Sequence, residues 1–152
     1  LPLPKSKKKK KLKEMFEKGE VDERYYYKQD AYMYKELKKS IVSKNTVYQW
    51  RRIYVRANKS NMCPTLTANM GTGGHNVPLI LDNFGIRKLT PRECFNLQGF
   101  PKTFKLPIDC AQSQLYKQAG NSVTVDLITK IAVLIKKTLS EKKFNNKSLM
   151  TA

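Results

Sequence analysis

The most constraining feature of the sequence is the stretch over residues 87–123, RKLTPRECFNLQGFPKTFKLPIDCAQSQLYKQAGNSV. Within it, Thr90-Pro91-Arg92-Glu93 has the pattern of a capping box, in which the Thr and Glu side chains each accept a hydrogen bond from the other residue's backbone N–H. Proline suits the first helical position, and Gly99 suits the left-handed conformation that ends many helices. The pattern therefore predicts a short helix over 91–98.

Two more helices are predicted after it. Asp109 is a candidate N-cap for a helix over 110–118, which Gly120 would end. Asn121 and Ser122 would then open a helix with a core-facing apolar stripe. The stripe comprises Val123, Leu127, Ile128, Ile131, Leu134, Ile135 and Leu139. Such an apolar helix needs a partner surface, and the natural partner is a sheet that this chain does not contain.

The same stretch resembles a known family. The string R-K-L-T-P-R-E-x-x-x-L-Q-G-F-P followed by Y-K-Q-x-G-N-S-V resembles the ninth and tenth signature blocks of the DNA cytosine-5 methyltransferases, in order and in spacing. Upstream, Pro64-Thr65-Leu66 is similar to the Thr-Leu centre of that family's target recognition domain, and Leu1-Pro2-Leu3-Pro4 to the segment after the eighth block. The resemblance covers the whole chain, closely over 87–126 and loosely before it.

Earlier blocks of that family are missing from these 152 residues. No Pro-Cys nucleophile occurs, since Cys63-Pro64 has the reverse order, and the Gly-rich cofactor block, the Glu-Asn-Val block and the Gln-x-Arg-x-Arg block are also absent. The resemblance thus implies the carboxy-terminal third of such an enzyme, as a fragment or as a subunit of a split enzyme. We expect no catalytic residue here and no activity from this chain alone.

The fold class implied by the resemblance is α+β. A small β-rich target recognition domain would be followed by helices, the last of which packs back on a Rossmann-like methyltransferase sheet outside this chain. The expected organisation is a basic linker over 1–19, the recognition domain over 20–86, a helical segment completing the catalytic domain over 87–140, and a flexible tail over 141–152.

The net charge of +18 comes from 30 Lys and Arg against 12 Asp and Glu. Such an excess predicts a polyanionic partner, nucleic acid first, although a solubilising Lys-rich surface accounts for part of it. Three cysteines and the single His75 have no zinc-ligand spacing, so no metal is expected. The sparse cysteines suit a reducing cytosol, and no apolar run approaches a membrane span. Together with the family resemblance, which implies a prokaryotic DNA-associated protein, these features predict a cytoplasmic location without membrane partners.

The segment before residue 61 predicts a helix over 31–39 and strands over 41–60. Tyrosines at 25, 26, 27, 32 and 34 lie among lysines; base stacking is possible, but covering a small core is the favoured interpretation. Arg51, Arg52 and Arg56 are candidates for bidentate contacts with guanine or phosphate. Because neighbouring strand positions face opposite ways, only some of the three could meet DNA together.

The stretch over 61–82 combines glycines with small polar side chains suited to base edges and phosphates. Within this stretch, strands are predicted at 65–67 and 77–81, on either side of the Gly-rich segment. A Gly-rich polar loop is ordinarily only a loop, but the resemblance makes it a recognition loop for double-stranded DNA. Its candidate DNA-binding residues are Thr65, Leu66, Thr67, Asn69, Gly71, Thr72, Gly73, Gly74, His75 and Asn76.

The resemblance further implies S-adenosyl-L-methionine as cofactor. Asn121, Ser122 and Val123 would close its pocket, with a helix N-terminus facing the methionine carboxylate; a plain N-cap is the blander interpretation, and both can hold. The implied function is the DNA-recognition and cofactor-pocket-completing portion of a cytosine-5 methyltransferase of a restriction-modification system, partnered by the N-terminal catalytic portion in the same or a separate chain. The alternatives are a non-enzymatic sequence-specific DNA-binding module derived from such an enzyme, and a general basic nucleic-acid protein.

Overall fold

The computed structural model describes residues 12–58, 62–72 and 76–149, with side chains described as far as residue 140. These residues form an α+β fold with one four-stranded antiparallel sheet. The strands are β1 (Tyr48–Arg51), β2 (Tyr54–Ala57), β3 (Leu79–Leu81) and β4 (Ile86–Lys88), and the α-helices are α1 (Tyr34–Ser40), α2 (Pro91–Leu97), α3 (Gln112–Asn121) and α4 (Val125–Leu149). Short 3₁₀ helices cover Leu12–Met15, Glu23–Tyr25 and Ala68–Thr72.

The sheet has the strand order β2-β1-β3-β4. Strands β1 and β2 form a hairpin in which Gln49 lies opposite Arg56 and Arg51 lies opposite Tyr54. Its two-residue turn places Arg52 at a φ of 55°, and the Ile53 N–H donates to the Arg51 carbonyl at 2.6 Å. The strand pattern predicted over 41–60 is therefore confirmed for 48–51 and 54–57, which form the hairpin, and wrong for 41–47, which contain a turn and no strand.

Apolar side chains pack in two clusters. The smaller one joins α1 to the sheet, with Leu37 buried against residues of β1, β3 and β4. The larger one lies where α2 and α3 meet the backs of the strands and loops; its members include Val47, Val77, Leu89, Phe95, Tyr116 and Ala119. Burying side chains of this size contributes about 1.5–3 kcal/mol each, which holds the short elements together.

The tyrosines have different environments. Tyr25 is buried in the larger cluster, and its hydroxyl donates to Gln112 Oε1 at 2.6 Å. Tyr32 is 97% exposed. The core interpretation is therefore confirmed for Tyr25 and wrong for Tyr32, because α1 begins at Tyr34 and leaves residue 32 in the preceding turn. The helix predicted over 31–39 exists, but it starts three positions later.

Helix α2 has the predicted capping box. Thr90 Oγ1 accepts from the Glu93 N–H at 3.2 Å, and Glu93 Oε2 accepts from the Thr90 N–H at 2.8 Å. Gly99 has a φ of 86°, which is the left-handed conformation expected after the helix. Upstream residues pack on this helix, since Asn96 Nδ2 donates to the Met15 carbonyl at 3.0 Å. The domain boundaries proposed from the sequence stay predictions.

Four expectations about local structure are wrong. Residues 65–67 form no strand, because their backbone packs against a helix rather than beside a strand. Asp109 does not cap α3, which starts at Gln112 after an Ala111 that makes no side-chain cap. Gly120 lies inside α3, and Asn121-Ser122 do not open the next helix. Instead Ser122 is the C-cap of α3. Its N–H donates to the Gln118 carbonyl at 3.0 Å, and its Oγ donates to the Ala119 carbonyl at 2.8 Å.

Helix α4 leaves its apolar stripe uncovered. Leu127, Ile131 and Ile135 are 51%, 42% and 54% exposed. The helix begins at Val125 and its backbone continues to Leu149, beyond the boundary placed at 140; the flexible tail stays a prediction. In the part of the chain that the structure describes, no helix has both the length and the apolar character needed to cross a membrane.

Candidate nucleic-acid interface

The β1-β2 hairpin and the segment over 64–69 enclose a groove of about 410 Å³. We call it the polar groove. Among the described residues that line it, none carries a carboxylate, and two carry guanidinium groups. The lining residues are Gln49, Arg51, Arg56, Asn58, Pro64, Thr65, Thr67, Asn69 and Asn76.

The hairpin register explains why two arginines meet in this groove. Arg56 lies directly opposite Gln49, and Arg51 lies two positions along β1 from Gln49, so all three share one face of the pleat. Arg51 and Arg56 therefore share a face, in keeping with the expectation that only some of the three arginines lie together. Among the described residues, neither guanidinium forms a salt bridge within the chain.

Arg52 is placed differently. It occupies the hairpin turn and lines a neighbouring depression of about 540 Å³. Gln49, Arg51 and Asn76 line both this depression and the polar groove. The aromatic side chains of that depression are Tyr32, Trp50 and Tyr54. The three candidate arginines thus lie on one continuous surface, although only two of them line the groove itself.

The second wall of the groove is built from backbone turns and small polar side chains. Thr67 Oγ1 is hydrogen-bonded to Asn69 Oδ1, and Thr72 Oγ1 donates to the Asn69 carbonyl at 2.8 Å. Thr65, Thr67 and Asn69 line the groove, as does Asn76. Four of the candidates from the polar loop are therefore brought together with Arg51 and Arg56.

Other candidates lie elsewhere. Leu66 is buried in the larger apolar cluster, and Gly71 faces α3. Thr72 is exposed without lining the groove. Gly73, Gly74 and His75 lie outside the described residues. Sequence reasoning did not name Gln49, Asn58 and Pro64 as DNA-binding candidates. Alternation with Arg51 along β1 was the available signal for Gln49, and membership of the Pro64-Thr65-Leu66 motif was the signal for Pro64, whereas Asn58 carried none.

A largely buried ionic network fixes β4 to α2. Arg87 Nη1 and Nη2 bind the two carboxylate oxygens of Glu93 at 2.8 and 2.7 Å, and Arg87 Nε binds Asp82 Oδ2 at 2.6 Å. Partial burial pushes the pKa of Asp82 up, but hydrogen bonds from Arg87 and from the N–H groups of Phe84 and Gly85 outweigh it and lower the pKa below its ordinary value. Burial lowers the pKa of Arg87, but the hydrogen bonds and charges of Glu93 and Asp82 outweigh it and raise that pKa above its ordinary value.

Two cysteines of the apolar core have raised pKa values, which disfavour the reactive thiolate. Burial raises the pKa of Cys63 to about 12, and burial first, with nearby Cys63 and Glu93, raises the pKa of Cys94 well above its usual range. A nucleophilic cysteine requires the thiolate. Neither of these two thiols therefore has the properties of a catalytic nucleophile at neutral pH.

The turn over 121–123 separates α3 from α4, and Gln98 at the end of α2 holds it. Gln98 Nε2 donates to the carbonyls of Ala119 at 3.2 Å and Ser122 at 3.4 Å, and its Oε1 accepts from Thr124 Oγ1 at 3.2 Å. The Val125 N–H donates to the Gln98 carbonyl at 2.8 Å. The helix N-terminus predicted at Asn121 thus lies at Val125. Of the three cofactor candidates, Asn121 is the last residue of α3, and Ser122 and Val123 belong to the link before α4.

The comparisons with known proteins agree with the resemblance found in the sequence. Residues 1–137 match the model of the C-5 cytosine-specific DNA methylase family, and the chain belongs to that family. It is 60% identical over 120 residues to the type II methyltransferase M.Bsp6I of Bacillus sp. (strain RFL6), covering 78% of this chain and 38% of that protein.

Other relatives match shorter regions. The type II methyltransferase M.MspI of Moraxella sp is 47% identical over 64 residues, which is 42% of this chain and 14% of that protein. M.HpaII of Haemophilus parainfluenzae is 54% identical over 44 residues, which is 29% of this chain and 12% of that protein. The chain therefore spans well under half the length of the relatives it matches.

Proposed function

We propose that the chain is the DNA-recognition and cofactor-pocket-completing portion of an S-adenosylmethionine-dependent DNA (cytosine-5)-methyltransferase of a restriction-modification system. Its catalytic portion would be supplied by the same or a separate chain. The family membership and the relatives named as type II methyltransferases support the reaction class. Since the Pro-Cys nucleophile is not among these residues, the chain alone is expected to transfer no methyl group.

The observation that carries the DNA-binding part of the proposal is the polar groove. Within the described part of the chain, two guanidinium groups that form no salt bridge face a wall of hydroxyl and amide groups, and the lining contains no carboxylate. Arginine binds guanine edges and phosphates bidentately, whereas asparagine and glutamine match adenine edges. The net charge of +18 adds long-range attraction to a polyanion.

The second part of the proposal concerns the 121–123 turn and α4. The half-exposed apolar stripe of α4 includes Leu127, Ile131 and Ile135, and burying it would contribute about 1.5–3 kcal/mol per side chain. Docking of this stripe on the sheet of the catalytic portion would bring the turn that contains Asn121, Ser122 and Val123 to the S-adenosylmethionine pocket. S-adenosylmethionine would supply the methyl group, and this chain's part would be to bind and orient the cofactor.

The DNA-binding proposal is tested with the chain and a short mixed-sequence duplex. We expect salt-sensitive binding, with a slope of log K against log salt of about −4 to −5 if about five phosphates are neutralised. Arg51→Ala with Arg56→Ala should weaken binding at least tenfold. The matched control is Lys38→Ala with Lys39→Ala, which removes two exposed charges on α1. Equal weakening by both pairs would assign DNA binding to overall charge rather than to the groove.

The enzymatic proposal is tested by complementation. The chain should be co-expressed with the part of the Bacillus relative that lies outside the matched region, and transfer of labelled methyl groups to duplex DNA measured. We expect methylated cytosine only when both parts are present. Methyl transfer by the purified chain alone would refute the proposal. DNA binding without transfer under any pairing would favour the non-enzymatic DNA-binding module.

A further inference from the structure

Two glycines lie where the wall of the polar groove touches α3. Gly120 lies against the backbone of Thr67 and Ala68, and Gly71 lies against the carbonyl of Ser113. A Cβ added at either glycine would come well inside 3.0 Å of those backbone atoms, a separation that real Cβ atoms essentially never show. Because the neighbours are backbone atoms, rotation of a side chain does not relieve the clash.

Local conformation does not account for glycine at these positions. Neither Gly71 nor Gly120 has a positive φ, unlike Gly19, Gly85 and Gly99. Inside α3, alanine in place of Gly120 would favour the helix by about 1 kcal/mol. The close approach of the two backbones is therefore the reason that glycine is required.

The contact joins two parts of the candidate site. The side chain of Thr67 lines the polar groove while its backbone contacts Gly120, and Gly120 directly precedes Asn121 of the 121–123 turn. We propose that Gly71 and Gly120 are positioning residues that fix the groove wall to α3 and thereby set discrimination between DNA sequences. This inference rests on the proposed function, in which the groove binds duplex DNA.

The physical reason is the difference between the two kinds of DNA contact. A hydrogen bond to a base edge weakens steeply when its distance or angle changes, so Thr65, Thr67 and Asn69 must be held accurately. The attraction between arginine and phosphate depends mainly on charge and tolerates small displacements. Moving the wall should therefore reduce sequence discrimination while leaving non-specific affinity nearly unchanged.

The test uses Gly120→Ala and Gly71→Ala, with Gln114→Ala on the exposed side of α3 as the matched control. Each protein is mixed with a random-sequence duplex pool, and bound molecules are sequenced. We expect total affinity for the pool within about twofold of the unaltered chain. Enrichment of the preferred sequences should fall about tenfold or more for each base pair that the wall contacts, and the control should retain full enrichment.

Different failures are distinguishable. If the unaltered chain does not bind the pool, the proposed function fails first. If it binds with sequence enrichment and both glycine variants, folded by circular dichroism, keep that enrichment, the positioning role is refuted.

If neither variant folds, hydrogen exchange measured in the unaltered chain tests the positioning role instead. A preferred duplex should slow exchange of the amides over 119–122, which lie behind the wall rather than in the groove. Unchanged exchange there would overturn the inference.

Discussion

The buried pair of Arg87 and Glu93 gives the sharpest prediction about stability. These side chains are 1% and 0% exposed. Glu93 accepts four hydrogen bonds: two from Arg87, one from the Thr90 N–H at 2.8 Å and one from the Glu17 N–H at 2.9 Å. In Glu93→Gln, an amide NH2 group replaces one carboxylate oxygen. Because each oxygen accepts two hydrogen bonds and an NH2 group accepts none, two of the four bonds are lost. The Arg87 guanidinium also loses the buried negative charge of Glu93.

The expected cost follows from these contacts. Hydrogen bonds to a charged group contribute about 1.5–3 kcal/mol each, so two lost bonds cost about 3–6 kcal/mol. Breaking a buried ion pair costs about 3–5 kcal/mol. Asp82 still binds Arg87 Nε in the variant, which favours the lower part of this range. Against a domain stability of about 5–15 kcal/mol, the substitution should remove a large fraction.

Urea unfolding at pH 7, followed by far-ultraviolet circular dichroism, measures the effect. The matched control is Glu23→Gln in the exposed pair with Lys28 at 3.6 Å, which should change the free energy of unfolding by no more than about 1 kcal/mol. A loss below about 1 kcal/mol in Glu93→Gln would refute the reasoning.

Three further predictions concern other contacts. Because the folded-state pKa of Asp82 is lowered, the ionised carboxylate stabilises the fold fully above the ordinary carboxyl pKa of about 3.9, and this stabilisation is lost as the pH falls through the folded-state pKa. Asp82→Asn should therefore flatten the fall in melting temperature between pH 6 and 2, and a profile unchanged from that of the unaltered chain would contradict the argument. Gln98→Ala should speed amide exchange over 122–126 in the chain and weaken S-adenosylmethionine binding about tenfold in the assembled enzyme, measured by calorimetry, whereas unaltered exchange would show that Gln98 does not hold the turn. Ile131→Asp should abolish co-purification with the catalytic portion, while Thr129→Asp on the polar side of α4 should preserve it; equal loss in both would argue against docking through the apolar stripe.

Features that depend on neighbours in sequence were predictable. The capping box of Thr90 and Glu93, the positive φ of Gly99 and the apolar stripe of α4 each follow from spacing within one or two turns of helix. The ion pair between Glu93 and Arg87 was not predictable, because Arg87 reaches Glu93 only after β4 and α2 are brought together. Gly120 was interpreted as a helix terminator for the same reason: the backbone of Thr67 that excludes a Cβ there is distant in sequence.

The groove was predictable in composition but not in geometry. Arg51, Arg56, Thr65, Thr67, Asn69 and Asn76 were all candidates, yet their convergence depends on the hairpin turn at Arg52 and Ile53. Two-residue hairpin turns are recognised from Asn-Gly or similar pairs, and Arg-Ile carries no such signal. Once the chain reverses there, positions that would alternate along one strand face the same side on two strands, which brings Arg56 beside Arg51.

The contact between Gly120 and Thr67 also bears on how target specificity could diverge among related sequences. The wall of the groove is attached to α3 by the close backbone approach at Gly71 and Gly120 and by Leu66 and Met70, which are buried in the larger apolar cluster, whereas the side chains of Thr65, Thr67 and Asn69 are exposed. These side chains can therefore change without repacking the core, provided that the glycines remain. A scaffold of this kind separates the path of the chain, which is fixed, from the residues that face the groove, which are free to vary.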